Sequence, residues 1–103
     1  MRTVYKYPGF QLQDHEVMLP VGAKFLHWQA SPDGQFFGPL SAWFEVDTDA
    51  PLEPRVFTVF GTGHPIPADA DELKFVHLAT RIDDPFVWHL YEKVIERTAP
   101  VAP

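Results

Sequence analysis

Cysteine is absent from the chain, and basic residues are scarce. Without a thiol, disulfides, thiolate metal ligands and cysteine nucleophiles are excluded. The 103 residues include 8 Lys and Arg against 14 Asp and Glu, which gives a formal net charge of -6. Binding along a nucleic-acid backbone depends on clustered Lys and Arg. We therefore do not expect an extended nucleic-acid interface.

Long apolar runs are also missing. No stretch approaches the ~18 uninterrupted apolar residues of a membrane span, and residues 1–6 lack the apolar run of a secretory signal. A chain of 103 residues is long enough to bury one hydrophobic core. The sequence therefore predicts a single soluble domain over residues 1–97, with no membrane contact, followed by a frayed tail at residues 98–103.

Proline and aromatic residues, by contrast, are abundant. The chain has 11 prolines, which is roughly twice the usual share, together with 9 Phe, 3 Trp and 3 Tyr. Proline is poorly tolerated inside helices and central strands. Here the prolines punctuate short runs rich in Val, Phe, Tyr, Trp and Thr, which are residues that suit strands. This pattern predicts an all-β protein, mainly antiparallel, folded as a small sandwich or barrel.

Seven strands are predicted between these breaks. They cover residues 3–7, 15–19, 24–30, 35–47 (best defined over 40–46), 55–60, 73–82 and 86–92. A tight turn is expected at residues 31–34. Residues 67–72 are acidic and predict one helical turn, with Asp69 or Asp71 as its cap. A helix over residues 86–97 is the competing interpretation of the last strand, because apolar residues recur there at helical spacing.

Side-chain alternation assigns the faces of these strands. The core face comprises Leu40, Ala42, Phe44 and Val46, with Leu26, Trp28 and Ala30 of the third strand, Val76, Leu78 and Thr80 of the sixth, and Phe86, Trp88 and Leu90 of the seventh. The opposite face gathers Phe25, Trp43, Phe75, Val87 and Tyr91 with His27, His77 and His89. Such a half-apolar face is covered by a second sheet, a second subunit or a ligand. We predict a homo-oligomer, most simply a dimer, whose interface uses Phe25, Trp43, Phe75 and Tyr91.

The most distinctive motif is Phe-Gly-Thr-Gly-His-Pro-Ile-Pro at residues 60–67. Its glycines allow positive φ angles, and successive backbone N–H groups in such a turn can bind an anion. Gly61, Thr62, Gly63 and His64 are therefore the predicted contact for a ligand or partner. A purely structural turn is the simpler interpretation. The motif is neither a Walker loop nor a dinucleotide fingerprint, because it lacks the Gly-Lys-Ser/Thr ending and the third glycine.

Catalytic and metal-binding patterns are weak. His27, His77 and His89 share one face and would converge if their strands were neighbours, but none belongs to a His-x-His or Glu-x-x-His pair. Glu45 and Asp47 are most simply solvating carboxylates. No base partner for a serine nucleophile is recognisable. The sequence therefore predicts no catalytic residue, no metal site and no cofactor.

Several segments together resemble a known family. They are Lys6-Tyr7-Pro8, residues 18–24, residues 43–47, the motif at residues 60–67, and Val87-Trp88-His89 followed by Glu92. In these the chain resembles a family of short, uncharacterised proteins of tailed bacteriophages and prophages, known as a domain of unknown function. Residues 31–39 form a longer segment than in those relatives. The resemblance implies a phage origin and the host cytoplasm, and it assigns no catalytic or binding residue.

These observations favour a non-enzymatic phage accessory protein that acts by binding. It would blunt a host process, either by occupying a host protein or by sequestering a small, nucleotide-like ligand. A small hydrolase that uses His64 is the alternative from another class. A virion or assembly component is a third interpretation, which self-association would also suit.

Overall fold

The protein is all-β, as the sequence predicts. The computed structural model describes residues 1–29, 40–83 and 85–95. The strands are β1 (Arg2–Phe10), β2 (His15–Pro20), β3 (Lys24–Gln29), β4 (Leu40–Asp47), β5 (Leu52–Gly61), β6 (Leu73–Asp83) and β7 (Phe86–Ile95). Over these ranges the structure contains no helix, and so none that could cross a membrane.

The strands form two antiparallel sheets packed as a sandwich, and the sheets do not close into a barrel. Sheet I has the order β1-β4-β3, and sheet II has the order β2-β5-β7-β6. Strand β7 therefore lies between β5 and β6, although it follows both in sequence. This order matters for the site, because it makes β5, β6 and β7 one continuous surface.

The core lies between the two sheets. Phe44 of β4 is fully buried, and its ring meets the edges of Tyr7, Phe25 and Phe57 at centroid distances of 5.7, 5.7 and 5.5 Å. Phe57 belongs to sheet II, so this contact joins the sheets. The buried apolar residues are Phe10, Val17, Leu19, Ala23, Trp28, Ala42, Phe44, Val46, Phe57, Val59 and Leu90.

Strand β1 continues through Pro8 and Gly9, where the sequence predicted that it would stop. The register with β4 shifts between Tyr7 and Phe10, and Gly9 adopts a φ of 101°. Such a bulge takes up the residues that cannot pair and lets the strand continue. As a result Phe10, which was not assigned to any strand, is buried to 1% exposure in the core.

Strand β5 also begins earlier than predicted, at Leu52 instead of Arg55. It includes Pro54, which has no N–H to donate. Pro54 lies opposite Met18 of β2, whereas pairing of β5 with β7 starts only at Val56. The proline is therefore tolerated because β5 has a neighbour on one side only at that position.

The helical turn predicted at residues 67–72 is wrong. The segment has no regular secondary structure before Ala70, which pairs with Leu73 across a tight turn. Six residues without an apolar face cannot offset the cost of helix nucleation. Asp69 has a different role, since its Oδ1 accepts a hydrogen bond of 3.0 Å from the backbone N–H of Phe75 in the edge strand β6.

The last strand is confirmed, and the competing helix does not form. Strand β7 extends to Ile95, three residues beyond the predicted end. Ala30, the turn predicted at residues 31–34 and the frayed tail at residues 98–103 lie outside the described residues.

Four residues assigned to the core face are not buried there. Val76 and Phe86 are each 44% exposed, and Leu26 and Thr80 change faces because β3 and β6 are bulged. In β3 the register shifts between Phe25 and His27, so Phe25 packs against the core while Leu26 is 44% exposed. In β6 the shift lies between His77 and Ala79. Thr80 therefore lies on the side of His77, opposite to the face that simple alternation predicts.

Candidate functional site

The outer face of sheet II carries a cluster of aromatic side chains. Because Phe57 and Val59 are buried in the core, their neighbours on β5 point outward. The ring centroid of Phe60 lies 5.5 Å from that of Tyr91 and 5.9 Å from that of Phe75, with edge-to-face geometry in both pairs. We call Phe60, Phe75 and Tyr91 the aromatic row. All three are partly exposed, so the row forms an apolar surface on the outside of the sandwich.

Beside the aromatic row, two histidines and two threonines form a continuous hydrogen-bonded chain. Thr80 Oγ1 lies 2.8 Å from His77 Nε2 and 2.9 Å from His89 Nδ1. His89 Nε2 in turn lies 2.9 Å from Thr62 Oγ1. We call these four residues the His–Thr chain. It meets the aromatic row where His77 packs edge-on against Tyr91, at a centroid distance of 5.3 Å.

The turn of the glycine motif positions Thr62 in the His–Thr chain. Gly61 to His64 form a turn in which the His64 N–H donates to the Gly61 carbonyl at 3.0 Å. Gly63 occupies the third position with a φ of 88°, which a type II turn requires and glycine permits. The Thr62 N–H donates to the Val87 carbonyl at 3.1 Å, which ties the turn to β7.

His64 folds back onto the start of its own turn. Its Nδ1 accepts a hydrogen bond of 3.1 Å from the Gly61 N–H. A Cβ atom at Gly61 would lie only 2.9 Å from His64 Cε1 and 3.2 Å from Trp88 Cζ3. A larger residue at Gly61 would therefore have to displace the His64 ring.

Three backbone N–H groups of the turn already have acceptors within the protein. The N–H groups of Gly61, Thr62 and His64 all donate within the protein. An anion bound there would have to displace these bonds, so the geometry favours the structural interpretation of the backbone. The side chain of Thr62 still contributes to the site, through the His–Thr chain.

The structure brings together two of the three histidines that were predicted to converge. His77 and His89 lie on the neighbouring strands β6 and β7, with ring centroids 6.4 Å apart. His27 lies on sheet I and bonds to Gln29 Oε1 at 3.1 Å. Among the described residues, no group of three His, Asp or Glu side chains is placed to hold a metal ion.

The four predicted interface residues do not share one surface. Phe25 packs against the core, and Phe75 and Tyr91 belong to the aromatic row. Trp43 lies on the outer face of sheet I, where the Lys6 ammonium sits 5.7 Å from its ring centroid. A single interface that uses all four is therefore not formed by this fold.

The motifs along the chain match one family model. The match is to a domain of unknown function, DUF7352, and covers residues 1–100. The chain belongs to the DUF7352 family. Comparisons of this DUF7352 protein with curated proteins and with solved structures found no match.

A second region of this DUF7352 domain is a cleft of about 650 Å³ beside β2, β5 and β7. Its lining includes Arg55 and Glu92, whose side chains are joined by two hydrogen bonds of 2.8 and 2.7 Å. Arg55 also donates to the Ala23 carbonyl at 2.6 Å, and its guanidinium lies 5.7 Å from the Phe57 ring centroid. The hydrogen bonds to Glu92 raise the pKa of Arg55 above its ordinary value. This pair holds the fold together, so we place the functional site on the outer face of sheet II.

Thr80 and Phe60 of the DUF7352 site were missed by the sequence reasoning. Thr80 was assigned to the core because the bulge in β6 is invisible to alternation. Phe60 is the first residue of the motif at residues 60–67, but the predicted contact began at Gly61. Its aromatic type, two residues before the Thr62 of the motif, is the signal that could have placed it beside the site.

Proposed function

We propose that this DUF7352 protein acts by binding a small, planar, nucleotide-like ligand on the outer face of sheet II, and that it does not transform the ligand. The observation that carries the proposal is the position of the His–Thr chain directly beside the aromatic row. Exposed rings offer stacking or edge contacts to a planar group, while hydroxyl and imidazole groups fix its orientation.

The same geometry supports binding over catalysis. In the His–Thr chain both nitrogens of His89 bond to threonine hydroxyls, and His64 is bonded to its own turn. A hydrolytic base is normally oriented by a carboxylate and placed beside a nucleophile. The residues of the His–Thr chain supply hydrogen-bond donors and acceptors, which suit recognition.

The biological setting is part of the proposal. We infer a phage accessory protein that works in the host cytoplasm and sequesters its ligand to blunt a host process. This inference rests on the resemblance of the five sequence segments to phage and prophage proteins.

Binding is tested by calorimetric titration of the protein with a panel of ribonucleoside monophosphates and cyclic nucleotides. We expect one class to bind, and Thr62→Val to weaken its affinity by about tenfold, because one oriented hydrogen bond is worth ~1 kcal/mol or slightly more. His64→Ala tests the predicted contact in the glycine turn in the same way. The ligand should be recovered unchanged after denaturation.

The matched control is His27→Ala, which removes an exposed histidine from sheet I that has one hydrogen-bond partner. It should leave the affinity unchanged. If no nucleotide binds, the small-ligand function is wrong and a protein partner is favoured. If a converted product is recovered and His64→Ala abolishes it, the protein is an enzyme.

Self-association is a second proposed property, favoured by the outer face of sheet I. Trp43 is partly exposed there, and Val4 on the neighbouring strand is 50% exposed. We expect light scattering of the wild-type protein to give about twice the mass of one chain, which is 11.8 kDa. The Trp43→Glu variant should give the mass of one chain, because a buried carboxylate would oppose the contact. Tyr91→Glu is the matched control, because it places the same carboxylate on the outer face of sheet II. A wild-type mass of one chain at high concentration contradicts the dimer.

A further inference from the structure

The His–Thr chain has a direction that is set at one end. A carbonyl oxygen can only accept a hydrogen bond, and the Val87 carbonyl lies 3.5 Å from Thr62 Oγ1. If the Thr62 hydroxyl donates to Val87, its oxygen is left to accept from His89. His89 Nε2 then carries the proton and donates to Thr62 at 2.9 Å.

The remaining protons follow link by link. A neutral imidazole has one N–H donor and one acceptor nitrogen, so protonated Nε2 makes His89 Nδ1 an acceptor. It accepts from the Thr80 hydroxyl at 2.9 Å, and the Thr80 oxygen accepts from His77 Nε2 at 2.8 Å. The opposite direction forms every bond except that from Thr62 to Val87, so it has one hydrogen bond fewer.

The His–Thr chain therefore ends in a hydrogen-bond acceptor. With its proton on Nε2, His77 presents Nδ1 as a lone pair, and within the described part of the protein that nitrogen has no hydrogen-bond partner. His77 is exposed and packs against Tyr91 of the aromatic row. A ligand that lies along the row would meet this acceptor at its edge.

Resting on the proposed function, we propose that the site selects planar ligands that carry an N–H donor on the ring edge, such as the imino or amino group of a nucleobase, and that His77 Nδ1 accepts that hydrogen. The ligand class follows from the direction of the His–Thr chain. The Val87 carbonyl at one end fixes the position of each proton, and this leaves His77 Nδ1 as an acceptor at the other end. A ligand that offers only acceptor atoms at this edge would oppose the lone pair of His77 and leave both groups without a donor.

The direction of the chain is tested without ligand, by long-range 1H–15N correlation spectra of the imidazoles. The spectra are recorded at pH 8, above the usual imidazole pKa of about 6.5. We expect both His77 and His89 to carry the proton on Nε2. Thr62→Val removes the link to Val87 and should change the Nδ1 and Nε2 shifts of His89, while His27 serves as an internal control. Protonation of His77 at Nδ1 overturns the inference.

The ligand class is tested with matched pairs of nucleosides that differ by methylation of the donor. We expect uridine to bind about tenfold more tightly than N3-methyluridine, or adenosine than N6,N6-dimethyladenosine, as one hydrogen bond predicts. His77→Phe keeps a ring in place but removes the acceptor, and it should abolish that difference.

The two proposals fail in different ways. Equal binding of a nucleoside and its methylated partner overturns the donor selectivity while binding on this face stands. Binding of neither, together with unchanged imidazole spectra on titration, overturns the proposed function and the ligand class with it.

Discussion

Replacing Phe44 with alanine is expected to lower the free energy of unfolding by about 3–5 kcal/mol. Phe44 has no exposed surface, and its ring contacts Tyr7, Phe25 and Phe57. Because Phe57 belongs to the opposite sheet, the cavity would open at the contact between the two layers. A domain of this size is stable by about 5–15 kcal/mol, so the variant would lose a large fraction of its stability.

The measurement is urea unfolding followed by tryptophan fluorescence. Phe44→Leu is the matched control, since it keeps most of the apolar volume and is expected to cost clearly less than the alanine variant. A loss below about 1 kcal/mol for Phe44→Ala would mean that the site collapses around the deletion and that the ring does not join the sheets.

Arg55→Met is expected to be the second most damaging change, with a loss of about 3 kcal/mol or more. Arg55 and Glu92 have side chains only 18% and 14% exposed. Methionine matches the length of the arginine stem, but it leaves the Glu92 carboxylate largely buried and without its two charge-assisted hydrogen bonds. It also leaves the Ala23 carbonyl without the donor at 2.6 Å.

The control for Arg55→Met is a more exposed ion pair, between Lys93 of β7 and Asp14, the residue before β2. Lys93 Nζ lies 2.9 Å from Asp14, whose side chain is 54% exposed. Lys93→Met is expected to change stability by less than about 1 kcal/mol, because solvent already screens that pair. Equal losses for the two variants, measured by urea unfolding, would show that burial of the Arg55 pair is not what makes it important.

The regular strands could be predicted from the sequence, and the bulged ones could not. In β4 the alternation of Leu40, Ala42, Phe44 and Val46 agrees with the core face that the structure has. In β3 and β6 the alternation fails, because a bulge inserts one residue without changing the kind of residue that follows. The conflict between Pro8-Gly9 and a continuing β1 is of the same kind, since the bulge there replaces the expected break.

Most of the candidate site followed from the sequence, with Thr80 and Phe60 as the exceptions. The shared face of His77 and His89 was predicted by strand alternation, and Thr62 was chosen for its place between two glycines. That Thr62 and Thr80 reach the same imidazole depends on β7 lying between β5 and β6. Strand order is a long-range property of the fold, and the local pattern of residues does not encode it.

The central position of β7 also has a consequence for synthesis of the chain on the ribosome. Strand β7 is the last of the seven strands to be made, yet β6 can join sheet II only through it, and until then β5 is paired with β2 alone. Until residue 95 has emerged, the edge of β5 that will face β7 has no partner, and β6 has no place in the sheet. Such an unpaired edge is a template for contact with other chains. The nascent chain is therefore exposed to aggregation until β7 is complete, and pairing of β7 with β5 and β6 ends this exposure.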